Sequence, residues 1–430
     1  MPTPRADAYN IASGAGLYAG QPDPGPLPRL LAGMIGDSIT AHAGGWCPHY
    51  WTNGLAGAPL QWLTNSGFNG QNILGLVSQI DNNYAPTSGG GGFAGLPPLD
   101  VAFVRIGTNA ATEPAGDGHP IDSTNQTNYL NLIAKAKGYA AKVILLPVPP
   151  IGGAGAVAKN TAVPGYNAFL QDTIAGDSSG QLFWLDDCSD LTDGSGNVIP
   201  EFFISDELHP SPGGTLQMGI TGYPRLLSIL GGTYISPLVT DAADVYPAQP
   251  QWNPNPTNVG AGGTFGSGWS GTCPNGMTVA NNGSGGAGTV SIVASDDANP
   301  VPWVRITPTT AANACNVSIS FPGAGRTIDV DEPYTLEQLI EVRFNNLARF
   351  SGINAWAQAG GARFTEIAKL GWHPTLGVNR RATLQQKFRR AYPDSSSGST
   401  STCYVYLGGN TDNFSGDMGS FDFRCFSIRG

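Results

Sequence analysis

Two short segments hold residues that can attack a carbonyl and move a proton. Residues 36–40 read Gly-Asp-Ser-Ile-Thr, and residues 206–210 read Asp-Glu-Leu-His-Pro. A serine hydroxyl becomes a nucleophile when a base takes its proton, and an imidazole steadied by a carboxylate suits that task. Asp206 and His209 stand three residues apart, so one turn can bring carboxylate to ring and select a tautomer. Ser38 is the candidate nucleophile, His209 the candidate base and Asp206 its orienting acid. Each segment has a plainer reading as well: serine often caps a helix, and Asp…His-Pro can close a surface turn. Two further segments lie between them, Asn65-Ser66-Gly67-Phe68-Asn69-Gly70 and Gly107-Thr108-Asn109. Backbone amides and an Asn side chain are suitable donors to a developing oxyanion, although both segments are also ordinary turn sequences. Asp37, His42, Trp46 and Phe68 are candidate substrate contacts, with core packing the plainer fate of the aromatics.

These segments need a scaffold. Apolar runs at Leu30–Ile35, Leu60–Leu63, Val101–Ile106, Val143–Val148 and Leu182–Leu185 predict strands. Helical patterns fall at Gln71–Ile80, Thr124–Ala140, Val163–Ile174 and Gly214–Leu230. Continuous apolar strands alternating with helices imply a buried parallel sheet with right-handed crossovers. Ligands bind beyond the carboxyl ends of such strands. Ser38, the 65–70 segment and the 107–109 segment each follow a strand, so all three belong to that edge.

In this order the four segments resemble those of the SGNH (GDSL) hydrolase superfamily, whose four blocks supply Ser, Gly, Asn and His. The resemblance covers about residues 28–232. It implies a three-layer α/β/α sandwich with a five-stranded parallel sheet. It also implies Ser38 as nucleophile, His209 as base, Asp206 as its partner, and an oxyanion hole from the Ser38 amide, the Gly70 amide and Asn109. Within the second block Gly70 is chosen over Gly67 because the family glycine usually ends that loop. One departure is Ala110, where many members carry an acidic residue after the Asn. Chemistry of this kind calls for no metal or organic cofactor.

Composition bounds the rest. A length of 430 residues predicts two or three domains. Charged residues make up only 12 %, and the 60 glycines are about twice average usage. A formal net charge of −10 argues against nucleic-acid or anionic-membrane partners, which call for basic patches. No apolar run reaches the ~20 residues of a membrane span. The opening MPTPRADAYNIASG shows no basic stretch followed by an apolar core, so no signal peptide is read there. The six cysteines form no CxxC pair, which disfavours a zinc ribbon and leaves disulfides and buried thiols both open.

Residues 1–235 are thus expected to be the hydrolase domain. Residues 236–270, rich in Pro, Asn and Gly, read as linker and entry to a second domain. From 271 to 430 short β runs recur at Thr289–Val293, Trp303–Ile306, Val317–Phe321, Leu336–Phe344, Thr383–Phe388, Cys403–Leu407 and Phe421–Ile428. Their spacing predicts an antiparallel β-sandwich of jelly-roll type, a candidate carbohydrate-binding module. Trp303, Trp356, Trp372, Tyr404 and Tyr406 are candidates for a sugar platform, with core or edge filling the more usual fate of each. The expected activity is removal of ester groups, foremost O-acetyl groups, from a polysaccharide. The alternative is a lipid or small-ester hydrolase with a structural C-terminal domain. A binding protein with vestigial blocks is disfavoured by the intact Ser38, Asp206 and His209. The expected setting is extracellular or a phage tail, where a trimer would be usual, although no heptads specify one.

Overall fold

The five apolar runs form one parallel sheet. The strands are β1 (Leu30–Gly36), β2 (Leu60–Gly67), β3 (Leu99–Arg105), β4 (Ala140–Leu145) and β5 (Leu182–Trp184), in the order β2-β1-β3-β4-β5. Among the described residues, six α-helices connect or follow them: α1 (Ser38–Ala41), α2 (Pro48–Leu55), α3 (Ile73–Gln79), α4 (Ser123–Tyr139), α5 (Ala156–Ala175) and α6 (Pro212–Leu230). This computed structural model describes residues 30–41, 47–84, 91–110, 121–152, 156–204, 206, 208–232, 255–282, 286–311, 315–322, 335–347, 350–359, 362–364, 378–389, 399–407, 414–415 and 418–429.

Strand alternation explains the layers. Ala32, Met34, Val101, Phe103 and Ile144 share one cluster with Ala56 at the end of α2 and with Leu226 and Ile229 of α6. Their chain neighbours Ile35, Ala102, Val104, Val143 and Leu145 face the other way, onto Ile73 and Leu76 of α3, Tyr129 and Leu132 of α4, and Leu170 of α5. The result is the expected three-layer α/β/α sandwich, the SGNH hydrolase fold. The strand order reverses between β1 and β3, the place where ligands bind in such sheets.

The C-terminal region is all β. Its strands are β6 (Thr264–Phe265), β7 (Trp269–Gly271), β8 (Thr278–Asn282), β9 (Gly286–Val293), β10 (Trp303–Ala311), β11 (Cys315–Pro322) and β12 (Thr335–Leu347). They continue with β13 (Phe350–Ala359), β14 (Ala362–Phe364), β15 (Val378–Arg389), β16 (Ser399–Leu407), β17 (Phe414–Ser415) and β18 (Ser420–Arg429). One sheet runs β15-β12-β18-β10-β9-β7 and the other β14-β13-β16-β11-β8-β6. Ignoring the short β17, the path β15-β12-β18-β10 opposite β14-β13-β16-β11 is the strand order of a jelly roll, as expected. Pairing is not antiparallel throughout: β6 with β8 and β7 with β9 run parallel. The chain steps from sheet to sheet between them, so both members of each pair travel the same way. The strands β6 and β7 lie within or at the border of the Pro/Asn/Gly-rich segment read as linker.

The two regions share apolar core. Trp51 and Leu55 of α2 and Leu216 of α6 belong to the cluster that also holds Val304, Val317, Phe344, Leu407 and Phe421 of the jelly roll. Among the described residues Cys47, Cys188, Cys273 and Cys425 are buried.

Candidate active site

The first site residue is delivered by β1. Gly36 pairs with Gly67 on one side and with Arg105 on the other, so the ends of β1, β2 and β3 lie level. A side chain at Gly36 would place its Cβ 2.2 Å from the Arg105 carbonyl oxygen, so the strands close up only with glycine there. Asp37 then starts the helix. Its Oδ1 accepts from the Ile39 amide at 3.1 Å, and its carbonyl accepts from the amides of Thr40 and Ala41. Burial pushes the Asp37 carboxyl up, against the Ile39 amide, which pulls it down. Fully buried, Asp37 shapes the turn and does not face a substrate, contrary to its candidate role as a contact. Ser38 follows as the first residue of α1, so its own amide has no acceptor within the helix.

The second and third blocks flank it. Gly67 is buried at the end of β2, and its amide is spent on Asn65 Oδ1 at 3.1 Å. Gly70 lies three residues on, exposed, with φ +69°. Phe68 is partly buried against the α3–α4–α5 side of the core, as the plainer reading of it had it. Beyond β3, Asn109 Nδ2 donates to the Gln71 carbonyl at 2.9 Å, which ties the third block to the residue after Gly70. Ala110, at the departure from the family pattern, packs against the core.

His209 arrives from a long connection after β5. The Ile204 amide donates to the His209 carbonyl at 2.9 Å, and the Ser211 amide to the Phe202 carbonyl at 2.8 Å. Ser211 caps α6 through the Gly214 amide, with Pro212 at the first helical position, so α6 begins three residues after His209. Asp206 Oδ1 accepts from the amides of Leu208 and His209, both at 2.9 Å. Its Oδ2 lies 2.6 Å from His209 Nδ1. A carboxylate only accepts, so Nδ1 carries the proton and Nε2 is left to accept. His209 Nε2 lies 2.8 Å from Ser38 Oγ. Burial raises the Asp206 carboxyl, but the bonds from the His209 amide, the ring and the Leu208 amide outweigh it and hold the group below the usual carboxylate range.

Ser38, Asp206 and His209 are thus brought together, with Gly70 and Asn109 on the same edge. His42 and Trp46 lie outside the described residues, as do Trp372 and His373. Trp303 is fully buried, its ring stacked between the guanidinium groups of Arg343 and Arg424 at 4.5 and 4.1 Å, so it offers no sugar platform. The same network holds Asp422, whose carboxyl burial raises and whose bonds from Arg305, Arg343 and Asn345 bring below the ordinary range. Sequence reading missed the Gln71 carbonyl and a buried ion pair between Arg105 and Asp187, both side chains without solvent exposure. A cation closing the apolar run Val101–Val104 was the available signal for Arg105.

A hydroxyl, an imidazole and a carboxylate in line at the carboxyl edge of a five-stranded parallel sheet is the arrangement of the SGNH class of hydrolases. A family model described as GDSL-like lipase/acylhydrolase matches residues 34–215. Residues 34–215 are therefore a GDSL/SGNH hydrolase domain, of a family that acts on esters. Solved structures similar to this chain include a catalytic mutant of an acetylxylan esterase from Geobacillus stearothermophilus (12 % identity, 49 % of this chain and 99 % of that one, TM-score 0.33). Another is a GDSL-like lipase from Bacteroides thetaiotaomicron (16 % identity, 47 % and 88 %, TM-score 0.33). No curated protein matches the sequence.

Proposed function

We propose that the chain is a serine esterase that removes O-acetyl groups from a polysaccharide, with Ser38 as nucleophile, His209 as general base and Asp206 as its orienting acid. The observation that carries this reading is the unbroken line from Ser38 Oγ through His209 to Asp206. As Oγ attacks the ester carbonyl, Nε2 takes the serine proton. The charge gathering on the carbonyl oxygen is met by the amides of Ser38 and Gly70 and by the Asn109 side chain. The imidazolium, balanced by Asp206, then gives its proton to the leaving alcohol oxygen. Water, deprotonated by the same ring, attacks the acyl-serine and releases the acid, and Ser38 recovers its hydroxyl.

Two features support a polymeric glycan as substrate. The base end of the site is open, with the Asp206 side chain 42 % exposed, and Gly70 of the second block is exposed as well. A jelly roll, an architecture that lectin domains use, is packed against α2 and α6. The test is acetate release from O-acetylated xylan, pectin and bacterial surface glycans, with Ser38→Ala as control. Release by the wild type and none by the variant is expected. Release undiminished in Ser38→Ala would remove the nucleophile assignment. Turnover of long-chain synthetic esters alone would move the reading to a lipid or small-ester hydrolase.

A further inference from the structure

We propose that Arg105 and Asp187 are positioning residues, a buried ion pair that locks the Ser38 turn to the helix that follows His209. The inference rests on the Ser38 esterase reading. Ser38 and His209 reach the site from opposite ends of the domain's sequence, and their contact depends on two elements keeping their spacing. Arg105 belongs to both layers of that problem. Its carbonyl accepts the amide of Asp37, the residue before Ser38, at 3.2 Å. By strand alternation its side chain leaves β3 on the face of Val101 and Phe103, the face covered by α2 and α6. There its guanidinium meets the Asp187 carboxylate, both side chains fully buried. Asp187 in turn lies under α6: a Cβ at Gly222 would approach the Asp187 Cβ to 3.0 Å. Three residues before the start of that helix stands His209. The path from nucleophile to base therefore runs Ser38, Asp37 amide, Arg105, Asp187, α6.

Physical chemistry favours a geometric role over a stabilising one. Desolvating two charges offsets most of their attraction, and an apolar pair of similar volume is often as stable or more so. The face of β3 that carries Arg105 is otherwise apolar, with Val101 and Phe103 in the core, and the small Cys188 thiol lies against both partners, so the site could hold such a pair. What an apolar pair lacks is a directional bond between the end of β3 and the segment after β5.

The experiment compares wild type, Arg105→Met/Asp187→Leu and Arg105→Lys by circular dichroism, by thermal melting, and by the rate at which a fluorophosphonate labels Ser38. Labelling reads the nucleophile and base without any choice of ester substrate. The double variant is expected to fold with a melting temperature near the wild type and to label at least tenfold more slowly. Arg105→Lys keeps the charges balanced but offers a point charge in place of a planar fork, and is expected to fold and label several-fold more slowly. It decides the matter where the double variant does not fold. A folded double variant or Arg105→Lys that labels at the wild-type rate would overturn the proposal. Wild type that fails to label at Ser38 would instead remove the esterase reading on which it rests.

Discussion

Asp206 holds His209 at two points: Oδ2 lies 2.6 Å from ring Nδ1, and Oδ1 accepts from the backbone amide at 2.9 Å. The first contact sets the tautomer and the second sets the turn. An Asn at 206 can keep the second through its carbonyl oxygen, but it presents an amide or a weaker acceptor to Nδ1. Asp206→Asn should therefore fold normally and lose kcat by roughly 10³–10⁴-fold with KM nearly unchanged, the size seen when a triad carboxylate is neutralised in place. Steady-state kinetics on any ester the wild type turns over provides the check. A loss below about tenfold would mean that the carboxylate is not the orienting partner.

Gly67 and Gly70 are glycines for different reasons. A Cβ at Gly67 would lie 2.1 Å from the Ala41 amide nitrogen and 2.4 Å from the Thr40 carbonyl carbon, both backbone atoms that cannot swing aside. A Cβ at Gly70 meets nothing within 4 Å, and only the φ of +69° resists it. Gly67→Ala must push α1, and Ser38 with it, off the end of β2. Gly70→Ala pays about 1–2 kcal/mol for the left-handed backbone and keeps its amide. Thermal melts and hydrolysis rates should rank Gly67→Ala as the more damaging in both respects. The reverse order would show that the second-block loop, not the contact with α1, limits the site.

The parallel sheet was legible because each strand is an apolar run buried on both faces, and all seven β runs read after residue 271 fall within strands. The catalytic constellation was legible through four short segments in a fixed order. Helix α2 was not. Nearly every residue of Pro48–Leu55 is buried, between the parallel sheet and the jelly roll, so the segment has no polar face and no amphipathic stripe to read. Strand β13, with Gly352, Asn354 and three alanines, has Ile353 as its single β-branched residue and is defined by its pairing with β16. Trp303 stood open between a sugar platform and core filling because the partners that bury it, Arg343 and Arg424, lie far away in the chain. Long-range pairing of this kind leaves no local trace.

His49 should set the acid limb of stability. It is fully buried against Phe103, with ring centroids 5.3 Å apart, and neither ring nitrogen has a partner among the described residues. Burial, and secondarily the Arg105 charge, holds its protonation well below the ordinary histidine range. An unfolded histidine takes up a proton near pH 6.5. Below that value the unfolded state binds more protons than the folded one, so stability falls as pH drops from about 6.5 toward the folded value, by at most about 1.4 kcal/mol per pH unit. His49→Phe removes this contribution. Its melting temperature relative to wild type should rise between pH 7 and pH 5 and stay level above pH 7. An offset that is constant from pH 8 to pH 5 would show that His49 is not the group responsible.

Trp51 should couple the two halves of the molecule. Its indole is fully buried in a cluster that draws on α2, α6 and both sheets of the jelly roll. Helix α6 closes on it through Gly219, where a Cβ would come within 2.5 Å of the Trp51 Cβ. Truncating a buried Trp to Ala usually costs 3–5 kcal/mol, a large share of a domain's total stability. Because the lost contacts lie between the hydrolase domain and the jelly roll, the damage should appear as lost cooperativity as well as a lower midpoint. Wild type should melt in one calorimetric transition and Trp51→Ala in two, the first carrying loss of esterase activity. The indole Nε1 is buried with no partner among the described residues, so Trp51→Phe surrenders no hydrogen bond there and should keep the single transition. Two well-separated transitions already present in the wild type would mean that this shared cluster does not bind the halves into one folding unit.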